Sequence, residues 1–453
     1  MVTVIFREPT LFQPYNLLGL FYNCYREAAQ GGCVEKFDLS RIICVVLVFC
    51  GATVIKSPAQ APIPTTLLSF DYTDGANPYY VSLIQGTNGN LYGTTGGGGT
   101  DHGGTAFEIT PRGTLSTLYS FCAQPNCTDG YNPIAGLVQG TDGNFYGTTQ
   151  GGGAQQYCLS AGCGTIFKIT PHGGLTTLYT FCAQPNCTDG YNPIARLVQG
   201  ADGNIYGTTN YGGVSSNCNG SCGTIFKITR AGSFTTLLSF DGTDGGNPSA
   251  GLVQGADGNF YGTTSAGGSN ENCPSGGCGT VFKITPGASL TTLYSFCPQP
   301  GCNDGSNPVA GLVQGTDGNF YGTTETGGGN GSCGGGCGTV FRITPAGKLT
   351  TLHAFDSTDG SWPTAGLVKG TDGNLYGTTE LGGASQSGGT AFRITPAGTL
   401  TPLYSFCLKS NCTDGRSPTG GLVQATNGKF YGTTQVGGIE NVGTVFVLYI
   451  ATH

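Results

Sequence analysis

Residues 311–324 read GLVQGTDGNFYGTT, two short apolar runs, GLVQG and NFYGTT, joined by Asp317-Gly318. An Asp-Gly pair between two such runs is a strong hairpin signal, and predicts a tight turn with positive φ at both turn residues. The Tyr-Gly-Thr-Thr element that ends this stretch begins at Tyr92, Tyr146, Tyr206, Tyr261, Tyr321, Tyr376 and Tyr431, at intervals of 54, 60, 55, 60, 55 and 55 residues. After it comes a run such as GTVF, starting at Gly104, Gly164, Gly223, Gly279, Gly338, Gly389 and Gly443, and then a run such as TTLYSF. Four short β runs repeated at a period above forty residues are the signature of propeller blades. The runs are named A to D in order and read as apolar on both faces, as strands sandwiched between neighbouring blades require.

Every run occurs seven times, but out of phase. A copy of D at 65–70 precedes the first hairpin, and the last unit stops after its C run at Phe446. Pairing the spare N-terminal strand with the C-terminal blade closes a ring and removes an open edge. The expected fold is therefore all-β, a seven-bladed propeller of four-stranded antiparallel blades over residues 62–453. An open β-solenoid would not need the spare strand.

Composition agrees. Glycine supplies 82 of the 453 residues and charged residues only 9%, yet 24 Phe and 22 Tyr argue against disorder. A net charge of −7 gives no reason to expect a nucleic-acid partner.

Residues 42–55, IICVVLVFCGATVI, are the uninterrupted apolar run of the chain, preceded by Arg41 and followed by Ala59-Gln60-Ala61. The run is shorter than the ~20 residues of a membrane helix. Charged start, apolar centre and small-residue cleavage site together predict a signal peptide over 41–61. Residues 1–40 are then an extension outside the mature fold, unstructured or upstream of the true start, with Val34 as a candidate non-Met initiation codon. The expected product is secreted, monomeric and without a stable membrane span once the leader is removed.

The core DGNFYGTTxxGG…GTVFKITPxG, repeated over residues 62–450, resembles the GloVer tandem-repeat proteins of bacteria, the choice-of-anchor GloVer-containing proteins. That resemblance implies export, often with a C-terminal surface anchor. The chain ends GTVFVLYIATH without a sorting tail, so release is expected instead of attachment. The resemblance assigns no activity to any residue.

In such a blade the A–B and C–D turns share one face, and here both are short. The B–C and D–A loops share the other face and vary, which makes that face the candidate functional one. Eight local cysteine pairs lie there, each present or absent as a unit: Cys122–Cys127, Cys158–Cys163, Cys182–Cys187, Cys218–Cys222, Cys273–Cys278, Cys297–Cys302, Cys333–Cys337 and Cys407–Cys412. In an exported protein these read as disulfides that stiffen glycine-rich loops. No metal and no cofactor is expected.

A ring of aspartates, Asp74, Asp129, Asp189, Asp244, Asp304, Asp359 and Asp414, recurs in every D–A loop and reads as turn capping. Residues that break the repeat are more informative. Glu325 and Glu380 follow YGTT in blades 5 and 6, where other blades carry Gly96, Gln150, Asn210, Ser265 and Gln435. They are the weak candidates for an acid/base pair. Arg196 replaces a glycine, and Tyr131, Tyr191 and Trp362 offer aromatic faces for a sugar. Gln85, Gln139, Gln199, Gln254, Gln314 and Gln424, with Lys369 in blade 6, are expected to line the central channel. His353 stands where other D strands have Tyr, and no hydrolase, zinc or phosphate-loop motif is present. The leading expectation is a binding or interaction protein for a glycan or a protein. The alternatives are a polysaccharide-cleaving enzyme and a structural surface protein.

Overall fold

The computed structural model describes residues 64–153, 162–215, 217–218, 221–270, 272, 277–329 and 333–450. The predicted leader and extension, with Cys158 and Cys273, lie outside the described residues. Within the unit Ala61–His453 the chain forms seven four-stranded antiparallel sheets. Blades 1 to 6 span 84–120, 138–180, 198–239, 253–295, 313–354 and 368–405. Blade 7 combines 423–448 with the N-terminal strand Thr65–Ser69, which pairs antiparallel with Thr444–Leu448. This is the closed seven-bladed propeller.

Each residue of the YGTT element has a structural task. The Tyr321 hydroxyl donates to Asp317 in the A–B turn at 2.8 Å, and the same bond recurs from Tyr146, Tyr206, Tyr261 and Tyr376. Its ring packs toward the next blade, as in the pair Tyr261–Phe320 with centroids 4.0 Å apart. Gly322 lies under Phe341 of strand C, where an added Cβ would come within 2.7 Å of the ring. The Thr323 hydroxyl donates to the Pro363 carbonyl of blade 6, a link between blades. Thr324 shares a hydrogen bond with Thr339 of strand C at 2.8 Å.

A second ring of contacts joins the blades through phenylalanine. The residue after each D strand packs against the C-strand phenylalanine of the next blade, edge-on in Phe70–Phe107 with centroids 5.4 Å apart and tilted in Phe406–Phe446 at 4.9 Å. Phe70–Phe107 crosses from blade 7 to blade 1, so the seam is packed like the other blade interfaces.

Four expectations need correction. The A–B connection is not a two-residue turn with both φ values positive. Gly318 alone is left-handed, at φ 78°, and its N–H donates to the Gly315 carbonyl. That is a type I turn followed by a left-handed glycine, in which the Asp317 carboxylate accepts from the Asn319 N–H. Strand D is not apolar on both faces: Leu290–Ser295 leaves Thr291 and Thr292 exposed, because the fourth strand is the outer rim. Strand A is a ladder of only two residues, such as Val313–Gln314, because the chain before it runs along the axis.

The fourth correction concerns the glutamines, which do not line the channel. Each Gln side chain accepts from a backbone N–H in the A–B turn of the preceding blade. The pairs are Thr87 to Gln139, Thr141 to Gln199, Ala201 to Gln254, Ala256 to Gln314, Thr371 to Gln424, and Thr426 to Gln85 across the seam. Each amide also donates to a glycine carbonyl in its own turn, as Gln314 does to Gly318 at 3.0 Å. A primary amide suits this place because it accepts and donates at once. Lys369 has no acceptor atom, so the clasp between blades 5 and 6 is missing.

Two predictions follow from these contacts. Lys369→Gln supplies the seventh clasp and raises the unfolding free energy by about 1 kcal/mol, the net worth of one hydrogen bond; denaturant unfolding with an unchanged midpoint would contradict the clasp. The turn carboxylates Asp142, Asp202, Asp257, Asp317 and Asp372 are raised by burial, but the bonds from Asn and Tyr outweigh that and hold them below the ordinary 3.8. Their folded values lie below the unfolded ones, so their stabilisation is complete above pH ~3.9 and is lost as pH falls through the folded values. Asp317→Asn flattens that acid limb of the stability profile, which unfolding curves between pH 5 and 2 measure.

Candidate functional site

The channel mouth on the B–C/D–A face is built from one backbone device repeated seven times. The residue before the Pro that recurs in each repeat (Asn77, Asn132, Asn192, Asn247, Asn307, Trp362 or Ser417) is left-handed, with φ between 51° and 59°. Its N–H donates to the preceding blade's B–C loop, as Trp362 does to Cys337 at 2.9 Å. Its carbonyl accepts from the residue after YGTT, as Asn307 does from Glu325 at 3.0 Å and Trp362 from Glu380 at 2.9 Å. Asn tolerates this conformation well, whereas a bulky Trp rarely adopts it. Trp362 is thus strained into place beside Glu380.

Glu325 and Glu380 are half-buried neighbours at this mouth. Burial pushes the Glu325 carboxyl above its ordinary value; burial, and then the charge of Glu325, do the same to Glu380. Glu325 also accepts from the Asn307 side chain. Facing them are two residues that sequence reasoning missed, Tyr79 and Tyr80, whose rings lie 3.9 Å apart with a 2.8 Å bond between the hydroxyls. Burial first, and then the charges of Glu380 and Glu325 among the other causes, raise both phenols. Tyr80 is left-handed, at φ 55°, and its N–H donates to the Thr419 hydroxyl of blade 7. A signal existed: blade 1 uses nine residues, 77–85, where blade 5 uses eight, 307–314.

Below the mouth lies a central cavity of about 460 Å³, bordered by the inner segments of the blades and including Tyr80, Thr364, Thr419 and Arg196. Adjacent segments pass so close that a Cβ on Gly251 would sit 2.5 Å from the Arg196 carbonyl, which explains the predominance of glycine there. The structure thus brings Glu325, Glu380 and Trp362 together and puts Arg196 on the cavity beneath. Tyr131 and Tyr191 stand on blades 2 and 3. Tyr131 is 40% exposed, Tyr191 packs on Tyr211, and among the described residues no contact ties either to the carboxylate pair.

The remaining features are scaffold. Asp129, Asp189, Asp304 and Asp414 each accept from a D-strand tyrosine hydroxyl and from loop N–H groups. His353 replaces that tyrosine and meets Asp359 at 2.7 Å. Six disulfides are formed among the described residues: Cys122–Cys127, Cys182–Cys187, Cys218–Cys222, Cys297–Cys302, Cys333–Cys337 and Cys407–Cys412. In blade 2 the sulfurs of Cys163, Cys182 and Cys187 lie within 4.8 Å of one another, as do Cys278, Cys297 and Cys302 in blade 4. All six are disulfide-bonded, so they offer no thiolate to a metal.

The model of the Gloeobacter/Verrucomicrobia repeat matches residues 51–275, 124–334 and 271–453. No curated protein matches the sequence. Among solved structures, two extracellular domains named for hybrid two component systems of B. thetaiotaomicron share the fold. One superposes with a TM-score of 0.53 at 10% identity over 86% of this chain, the other with 0.52 at 12% over 84%. This chain spans 40% and 41% of their lengths. At such identities the likeness concerns the fold alone. Among the described residues no helix is long and apolar enough to cross a membrane.

The carboxylate pair makes a prediction with a definite sign. The folded value of Glu380 lies above its ordinary 4.5, so ionisation is disfavoured in the folded state. Stability therefore falls as pH rises from 4.5 through the folded value, and the penalty persists above it. Glu380→Gln removes the penalty: its melting temperature exceeds that of the parent at pH 8 and matches it at pH 4. Equal melting temperatures at both pH values would show that the two carboxylates do not strain the mouth.

Proposed function

Because the chain belongs to the Gloeobacter/Verrucomicrobia repeat family, most of its surface is a sevenfold scaffold, and we propose that its function is ligand binding at the one place where the repetition fails. The observation that carries this reading is convergence. Trp362, Glu325 and Glu380, together with the Tyr79-Tyr80 pair, all gather at the mouth on the B–C/D–A face. Holding a tryptophan and a tyrosine left-handed costs about 1–3 kcal/mol each, a strain that the asparagine of most blades lessens at position 362. Amphipathic rings beside carboxylate and amide acceptors suit the apolar faces and hydroxyls of a saccharide. A glycan end is the ligand class this chemistry favours, with a protein surface as the alternative. The disulfides support an exported location, where such ligands occur.

A second reading rests on the raised carboxyls. Burial raises both carboxyls, and the charge of Glu325 raises Glu380 further, which is the direction a general acid in glycoside cleavage needs.

A glycan array with the purified protein separates these readings. Binding to at least one saccharide is expected, weakened about tenfold or more in Trp362→Asn, which restores the repeat residue and with it the favourable backbone. Absence of binding across the array would overturn the glycan reading in favour of a protein partner. Reducing-end assays on any hit test for cleavage. Product formation that disappears in Glu325→Gln or Glu380→Gln, with binding retained, would establish the enzyme.

A further inference from the structure

The inner segment of each blade passes nearest the axis at one position. Five blades place Gly136, Gly251, Gly311, Gly366 or Gly421 there, and blade 1 places Ser82. Blade 3 alone places a charge, Arg196, and among the described residues no other charged side chain borders the 460 Å³ cavity. Its Nε donates to the Leu137 carbonyl of blade 2 at 2.9 Å, which fixes the guanidinium against the channel wall. The four remaining N–H donors of the fork make no hydrogen bond among the described residues. No carboxylate pairs with it either: His353–Asp359 is the ion pair among the described residues. The side chain is exposed to the cavity and stays cationic at neutral pH, although the surrounding protein lowers its pKa to about 10.

A cation without a protein counter-charge attracts an anion that enters the cavity. A planar fork with free donors matches a carboxylate. Thr364 borders the same cavity. The cavity falls in the range of small-molecule sites, about 300–1,000 Å³. Glu325 and Glu380 at the mouth repel a carboxylate while accepting from hydroxyls, so an acidic polyol is oriented with its charged end inward.

We propose that the central cavity is a carboxylate site and that the ligand is an acidic saccharide, its carboxylate held by Arg196 and its hydroxyl-rich end facing Tyr79, Tyr80, Glu325 and Glu380. The saccharide part of this assignment rests on the reading of the mouth given above, and the carboxylate part does not.

Calorimetric titration of the purified protein with D-glucuronate and with D-glucose tests it, since the two sugars differ only in the carboxylate. Glucuronate is expected to bind about tenfold or more tightly than glucose, as one charge-assisted contact implies. Arg196→Gly installs the residue of the other blades, preserves the fold, and reduces glucuronate binding to the level of glucose. Arg196→Lys keeps the charge without the fork and falls between the two. Equal affinity for the two sugars, no glucuronate binding, or binding unchanged in Arg196→Gly would overturn the proposal. Trp362→Asn, titrated in parallel, separates the two assignments. Glucuronate binding that survives this change but not Arg196→Gly upholds the carboxylate site and removes the mouth from it. Glycan binding lost in Trp362→Asn, without preference for glucuronate, removes the carboxylate site and leaves the mouth.

Discussion

The structure depends on closing the ring. A propeller blade is apolar where it faces its neighbours, so a row of blades is stable only if the first and last bury one another. Here the closure has three components on the same seam. Thr65–Ser69 adds the fourth strand to blade 7, Phe70 packs edge-on against Phe107 of blade 1, and Gln85 accepts from the turn of blade 7 at Thr426. Each is the ordinary blade-to-blade contact, made between opposite ends of the chain. The seam needs no special chemistry because the strand offset converts a terminal junction into an internal one, and it leaves no open edge in blade 7.

Closure in turn confers the site. Seven inner segments brought to one axis create a cavity that no single blade possesses, and seven B–C and D–A loops create its mouth. Where every blade contributes the same residue, the arrangement is saturated by its own hydrogen bonds: carbonyl to N–H at the left-handed position, tyrosine to aspartate in the turn and in the D–A loop. Only departures from the repeat bring donors, acceptors and rings that the scaffold has not already satisfied. Arg196, Tyr79, Tyr80, Glu325, Trp362 and Glu380 are such departures, and they occupy the axis and not the rim.

Much of this was legible in the sequence. The period, the seven copies and the displaced D strand determine blade number and closure, because strand pairing is a local pattern repeated along the chain. Glu325, Glu380 and Trp362 stood out as breaks in that pattern. The glutamines were misread because their position in strand A suggested the channel, whereas the turn of the neighbouring blade, some fifty residues away in sequence, supplies their partner. Tyr79 and Tyr80 were missed because an insertion of one residue shifts the alignment by so little, although it sets two rings into the mouth.

By itself, then, the sequence determined the blade, its number, its closure and the residues that break the repeat, since all of these follow from short-range pattern and counting. The tertiary structure alone decided which of those breaks meet. Residues hundreds of positions apart, such as Tyr80 and Glu380, become neighbours only when curvature brings the loops to a common axis. That convergence depends on the geometry of the closed ring, which no single repeat encodes.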